Sequence, residues 1–107
     1  MAVISQGEIW SVDLNPVRGH EQAGRRPVLV ISVDGLNQGP AGLAIVLPIT
    51  TRQREIATRV AIEPPEGGLP ERSFVICEQV RTISTERFGD RSGRVKRDTL
   101  ERAVRMV

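Results

Sequence analysis

The chain of 107 residues has a mass of 11.8 kDa, the length of one domain, and a chain this small has a modest core that dimerisation would help. Its 39% hydrophobic and 26% charged residues exclude a disordered or collagen-like protein, and a single cysteine, Cys77, excludes an intrachain disulfide. The net charge is only +2, yet 14 of the 15 basic residues are arginines, whose planar donor fork matches phosphate and carboxylate. Genome composition or heat adaptation explains such usage equally well until position is considered.

Val and Ile together number 22 against 7 Leu, which favours strands. Residues 7–14 alternate, with Trp10, Val12 and Leu14 on one face and Ser11 and Asp13 on the other, as in a half-buried strand that Asn15-Pro16 ends. A polar loop from Val17 to Arg25 follows, longer than a tight hairpin needs. Pro27 is expected to open a central strand through Val33, apolar on both faces, with Pro tolerated as its first residue. After a turn at Asp34-Gly35 and Gly39-Pro40, Leu43 to Ile49 reads as a buried strand interrupted by Pro48, with an edge or bulge just before Thr50. This is the longest apolar run and is too short to cross a bilayer. Residues 51–57 form an Arg-bearing loop, Thr58 to Ile62 a short strand, Pro64 to Gly68 a loop, and Ser73 to Ile83 the last long strand. Ser84 is placed to cap one helical turn before Phe88-Gly89, and Arg94-Val95 to add a short strand. Asp98 is expected to cap the only convincing helix, which puts Leu100, Ala103, Val104 and Val107 on one face. The pattern is mainly β with a C-terminal helix, a small and strongly curved barrel spanning 1–107. Met1 to Glu8 hold no basic segment followed by an apolar core, so no signal peptide is expected and the cytoplasm is the expected compartment.

The charge is unevenly spread. Residues 15–26 and 50–60 each sum to +2, while the strands between and after them are acidic. If the loops Val17 to Arg26 and Thr51 to Arg59 share one end of the barrel, they form a basic-walled cleft for a polyanion; otherwise they are solvated surface loops. Glu78, Gln79 and Arg81 are polar residues within an expected strand, where alternation puts Gln79 and Arg81 on one face and Glu78 opposite. Glu78 is read either as half of a structural ion pair or as a site residue. Thr50 and Thr51 end a strand and either face a ligand or satisfy backbone groups. His20 is a general acid or base, or a solvated loop histidine. Cys77 is read as a small core residue. No Gly-rich phosphate loop, Ser-His-Asp spacing or metal-ligand cluster is visible, so no cofactor or metal is expected and metal-dependent nuclease chemistry is disfavoured. With only Trp10, Phe74 and Phe88 as aromatics, any RNA recognition would rest on Arg, backbone and Gln or Glu groups.

Three segments then combine. Gly7-Glu8-Ile9-Trp10 and Asp13-Leu14-Asn15-Pro16 precede Gly19-His20-Glu21-Gln22-Ala23-Gly24-Arg25-Arg26-Pro27-Val28-Leu29-Val30. Pro48-Ile49-Thr50-Thr51 and Glu78-Gln79-Val80-Arg81-Thr82-Ile83 follow in order. Over nearly its whole length the chain resembles the MazF/PemK family of toxin endoribonucleases. The resemblance implies a small SH3-like β-barrel of the MazF/PemK/CcdB-like kind. It also implies metal-independent, sequence-specific cleavage of single-stranded RNA, in which the 2′-hydroxyl attacks the adjacent phosphate to leave 2′,3′-cyclic phosphate and 5′-hydroxyl ends. Arg26 and Thr50 match the catalytic pair. Arginine hardly ever deprotonates, so the group that takes the 2′-proton is open, with Glu21 as the candidate. The resemblance implies RNA contacts from Gly19, His20, Gln22, Ala23, Gly24, Arg25, Thr51, Arg52, Arg54, Glu78, Gln79 and Arg81. It implies a homodimer, and a MazE-like antitoxin partner whose acidic, otherwise disordered tail competes for the RNA groove. His20 departs from the serine common there in the family, and the loop 52–59 varies widely. The alternative is a non-catalytic toxin of the same fold that binds DNA gyrase through the helix end, Arg102 to Val107.

Overall fold

The computed structural model describes residues 3–14 and 24–107. It contains seven strands: β1 (Glu8–Asp13), β2 (Arg25–Val30), β3 (Leu43–Thr50), β4 (Arg59–Ile62), β5 (Ser73–Ile76), β6 (Arg81–Ser84) and β7 (Phe88–Arg94). A one-turn helix α1 (Asp34–Asn37) follows β2, and α2 (Arg97–Met106) ends the chain. Every pairing is antiparallel, in the order β4-β5-β3-β2-β1-β7, with β6 on the same edge of β3 as β5. The fold is therefore mainly β with a C-terminal helix, as expected. Among the described residues β4 and β7 do not pair, so strand hydrogen bonds leave the sheet open.

The 3-10 turn Glu66–Gly68, which follows β4 in the chain, lies against β7. Gly67 and Gly68 take φ of 68° and 74°, and a Cβ on either would run into Ile9 or the Ser92 carbonyl. Only glycine combines that backbone with so close an approach. Glu66 ties the turn to α2, its Oε2 accepting from the Lys96 N–H at 3.0 Å and from Thr99 Oγ1 at 2.6 Å.

The central strands are apolar at successive positions because both faces of the sheet are covered. On one face Ile9, Leu29, Leu47, Ile49 and Val75 pack with Ala103 and Leu100 of α2. On the other, Trp10, Val12, Leu14, Val28, Val30, Val46 and Ile83 pack with Phe88. Each such side chain contributes about 1.5–3 kcal/mol when fully buried. The alternation expected of β1 holds from Trp10 to Leu14, where Trp10, Val12 and Leu14 are buried and Ser11 and Asp13 only partly so. The half-buried reading is corrected at its start, where Glu8 and Ile9 are both buried.

Several boundaries also differ from expectation. Pro27 is the third residue of β2, not the first, because Arg25 and Arg26 pair with Asp13 and Val12. Pro48 neither interrupts β3 nor marks a sheet edge. β3 pairs with β6 over its first half, with β2 at Val46 to Pro48, and with β5 at Ile49 and Thr50. Val28 and Pro48 are the last pair joining β2 to β3, and Pro27 lies one residue beyond it, where a missing N–H donor costs little. The long strand expected from Ser73 to Ile83 is broken by a 3-10 turn at Cys77–Gln79. The strand β7 extends well beyond the short Arg94-Val95 segment expected there. Ser84 does cap the 3-10 turn Thr85–Arg87, accepting from the Glu86 N–H at 3.2 Å. Asp98 does not cap α2: it lies in the first turn and pairs with Arg102 at 3.2 Å. The buried face of α2 is Thr99 and Ala103, with Leu100 packed beside them, while Val104 and Val107 are exposed.

Candidate active site

The site arises where β2 and β3 part. Their register pairs Val28 with Pro48, so two residues further on Arg26 and Thr50 occupy opposed positions on the same face of strands that no longer bond. Thr50 is the last residue of β3, and its Oγ1 accepts the Arg52 N–H at 3.1 Å. With that lone pair occupied, the hydroxyl proton is available to donate outward.

Arg26, Thr50 and Thr51 together wall two adjoining cavities. The larger, about 520 Å³, is completed by Arg52, Arg54, Arg59 and Gln79. The smaller, about 210 Å³, is completed by residues that include Leu69, Pro70, Glu71 and Ser73. Of the basic cleft expected from the two charged loops, the part built by Arg26 and the 51–59 segment is present, with guanidinium, hydroxyl and amide groups as its donor set, while residues 17–23 lie outside the described residues. Gln79 Oε1 is buried and takes no hydrogen bond among the described residues. A third cavity of about 630 Å³ between the N-terminal turn and α2 holds none of the expected site residues.

Glu78 stands beside this cleft and is already engaged. Its Oε2 accepts from Arg59 Nε at 2.9 Å and lies 2.7 Å from Nη2, and its Oε1 accepts from Thr58 Oγ1 at 2.8 Å. Partial burial pushes its pKa up, but the hydrogen bonds from Arg59 and Thr58 outweigh that, so the carboxyl is held below its ordinary value. The ion-pair reading of Glu78 therefore describes its contacts. Neighbouring Cys77 is buried, and desolvation, reinforced by the Glu78 charge and opposed by Arg59, pushes its thiol up to about 11. A thiol so placed is a core residue rather than a nucleophile.

Not every expected residue converges. Arg25, next to Arg26 in β2, turns to the opposite face by strand alternation, and its guanidinium covers Gly89 and lies 3.5 Å from Ser11 Oγ. Gly24, with φ of 74°, accepts the Leu14 N–H at 2.9 Å through its carbonyl. Arg81 opens β6 opposite Val46 and does not line the cleft. The turn at Cys77–Gln79 removes the strand alternation that put Gln79 and Arg81 on one face. Gly19, His20, Glu21, Gln22 and Ala23 lie outside the described residues. Arg59 is the cleft residue that the motifs did not single out. Its polar place between the alternating Val60 and Ile62 and the basic loop was the available signal.

Comparison with known proteins gives a consistent result. Residues 5–107 match the family of PemK-like, MazF-like toxins of type II toxin-antitoxin systems. Endoribonuclease EndoA of Bacillus subtilis (strain 168) is 33% identical over 90 residues, which make up 83% of this chain and 78% of that protein. The fold superposes on MazF from Deinococcus radiodurans with a TM-score of 0.86 and 25% identity, covering 99% of this chain and 94% of that one. It also superposes on an endoribonuclease in complex with its cognate antitoxin from Mycobacterial species, with a TM-score of 0.78 and 23% identity over 96% and 89% of the two chains.

Proposed function

The chain belongs to the PemK-like, MazF-like toxins of type II toxin-antitoxin systems and is a homologue of an endoribonuclease, and from that premise we propose that it cleaves single-stranded RNA without a metal ion. The RNA's own 2′-hydroxyl attacks the adjacent phosphorus, the bond to the 5′-oxygen breaks, and the products carry a 2′,3′-cyclic phosphate and a 5′-hydroxyl. The observation that supports this reading best is the opposition of Arg26 and Thr50 across the splayed end of β2 and β3, at the wall of a cleft lined by arginines. Arg26 bridges the non-bridging phosphate oxygens and stabilises the charge that builds on them, and the Thr50 hydroxyl donates to the same group. Thr51, Arg52, Arg54 and Gln79 hold the flanking nucleotides. Glu21 remains the proposed acceptor of the 2′-proton, with RNA contacts from its neighbours in the same segment.

The curved sheet, bridged at its ends by the Glu66–Gly68 turn, is read as the SH3-like barrel of the family. The protein acts as a homodimer in the cytoplasm, and a MazE-like antitoxin with an acidic tail occupies the basic cleft in competition with RNA. Antitoxin-bound relatives of the same fold support this partner.

The test is incubation with a long single-stranded RNA in excess chelator, with the cut ends mapped and their chemistry determined. Discrete cuts bearing cyclic phosphate are expected, and Arg26→Ala is expected to lower the rate by roughly 10²-fold or more with folding intact. Intact RNA from well-folded protein would overturn the reading. It would favour a gyrase-type binding module, for which the exposed Val104 and Met106 of α2 and Val107 just after it supply an apolar surface.

A further inference from the structure

Among the described residues four guanidinium groups line the larger cleft, and Arg59 is set apart from the others. Arg26, Arg52 and Arg54 are exposed residues, whereas the Arg59 side chain is only 10% exposed. Its backbone N–H closes the preceding turn onto the Ile56 carbonyl at 3.0 Å, which brings the side chain to the cleft at the very start of β4. One edge of the guanidinium, Nε and Nη2, is held by Glu78 Oε2, while Thr58 holds the other oxygen of that carboxylate. The Nη1 corner has no partner among the described residues, and the residue shares a cavity with Arg26 and Thr50.

Two consequences follow from elementary chemistry. A guanidinium already fixed by an ion pair loses little side-chain freedom when it binds a phosphate, unlike a flexible surface arginine. A carboxylate whose two oxygens are both engaged has little capacity to read a base edge, and without its arginine it would repel a polyanion.

Resting on the proposed ribonuclease reading, we infer that Arg59 binds a phosphate of the RNA backbone next to the scissile one, and that Glu78 is a positioning residue that acts on RNA only through Arg59. The site takes a phosphodiester oxygen on Nη1 while Glu78 holds the opposite edge of the fork in place. Arg59 is then a binding residue for a flanking nucleotide, distinct from the Arg26–Thr50 pair at the reacting phosphorus.

The experiment measures binding of a single-stranded 2′-deoxy oligonucleotide, which lacks the attacking hydroxyl, across a series of salt concentrations. RNA cleavage by the same proteins is followed in parallel. Arg59→Gln is expected to weaken binding about tenfold, to lower the log–log salt slope by about 0.7, and to raise KM for RNA by a larger factor than it lowers kcat. Arg59→Lys, which keeps the charge, is expected to keep the slope. Glu78→Gln alone is expected to alter binding less than about threefold, and added to Arg59→Gln it is expected to restore part of the lost affinity by removing an orphaned carboxylate. Thermal melts confirm that each variant is folded, and Arg59→Met, which keeps the apolar stem without the charge and is likewise expected to lose affinity and slope, carries the test if Arg59→Gln is not folded.

Wild-type affinity and slope in Arg59→Gln would overturn the role of Arg59, and cleavage by the wild type would then leave the ribonuclease reading standing. A double variant that binds more weakly than Arg59→Gln would overturn the role of Glu78, because it would mean that Glu78 contacts the strand itself. Wild-type protein that binds the oligonucleotide through Arg59 but never cuts RNA would retain the phosphate site and overturn the ribonuclease reading. Protein that neither binds nor cuts would overturn both.

Discussion

Thr50 shows how a single side chain at a strand end acquires a direction. Its oxygen accepts the Arg52 N–H, which leaves its proton free to donate, and it lines the same cleft as Arg26. Thr50→Val keeps the β-branched shape and deletes the donor together with the acceptor of the Arg52 N–H, an exposed turn bond, so single-turnover cleavage is expected to slow on the order of 10²-fold while the protein stays folded in thermal melts. An unchanged rate would remove Thr50 from the mechanism. At Cys77 the expectation is inertness: with its thiol pushed up to about 11, the native protein is expected to resist iodoacetamide at pH 8 and to react only once unfolded. Rapid alkylation of folded protein would contradict the buried placement. Arg26, Thr50 and Cys77 were legible in the sequence, the first two by motif and the third by its apolar neighbours. The engagement of Glu78 was not, because Thr58 and Arg59 lie twenty and nineteen residues away and meet it only when β4 pairs with β5.

Elements repeat the contrast. The central strands β1, β2 and β3 announce themselves through Val and Ile, since both faces of the sheet are buried. β7 does not, because Phe88–Arg94 is an edge strand, mostly exposed, that owes its form to pairing with β1. The break at Cys77–Gln79 is equally invisible to alternation. Both β5 and β6 bond to β3, and the residues between them form a 3-10 turn instead of continuing the ladder. Gly68 is the element-scale test of how the sheet ends are joined. Gly68→Ala forces a side chain onto the Ser92 carbonyl at positive φ, and a loss of about 2–4 kcal/mol in unfolding free energy is expected from urea denaturation. A neutral substitution would show that the Glu66–Gly68 turn does not need its approach to β7.

For the whole molecule, acid stability gathers around β1. Glu8 is buried, and its carboxylate accepts from the Ser5 N–H at 2.7 Å, Trp10 Nε1 at 3.1 Å and Arg91 Nε at 2.6 Å. Burial raises its pKa, but the bonds from Arg91, Trp10 and Ser5 outweigh it and hold the group below the ordinary 4.5. A carboxyl with a depressed folded pKa contributes stability in full above its unfolded value and loses it as pH falls through the folded one. Unfolding followed by the fluorescence of Trp10, the sole tryptophan, is therefore expected to show stability falling below about pH 4.5. Glu8→Gln is expected to be less stable at pH 7 and to flatten that acid limb. An identical pH profile in the variant would place the acid sensitivity elsewhere. RNA binding is a property of the same scale. Its affinity is expected to fall with salt by about 0.7 log units per log unit for each phosphate held, and a flat response would count against a phosphate-lined cleft. By itself the sequence determined the β-rich class, the C-terminal helix, the family and the residues of the proposed catalytic pair. Side-chain periodicity and contiguous motifs are local properties that survive without a fold. Only the tertiary structure decided that β2 and β3 part beyond Val28 and Pro48 to leave Arg26 facing Thr50, that Arg25 turns away, and that Glu78 holds Arg59 at the cleft. Those facts depend on register and on contacts between residues far apart in the chain, and no local pattern encodes them.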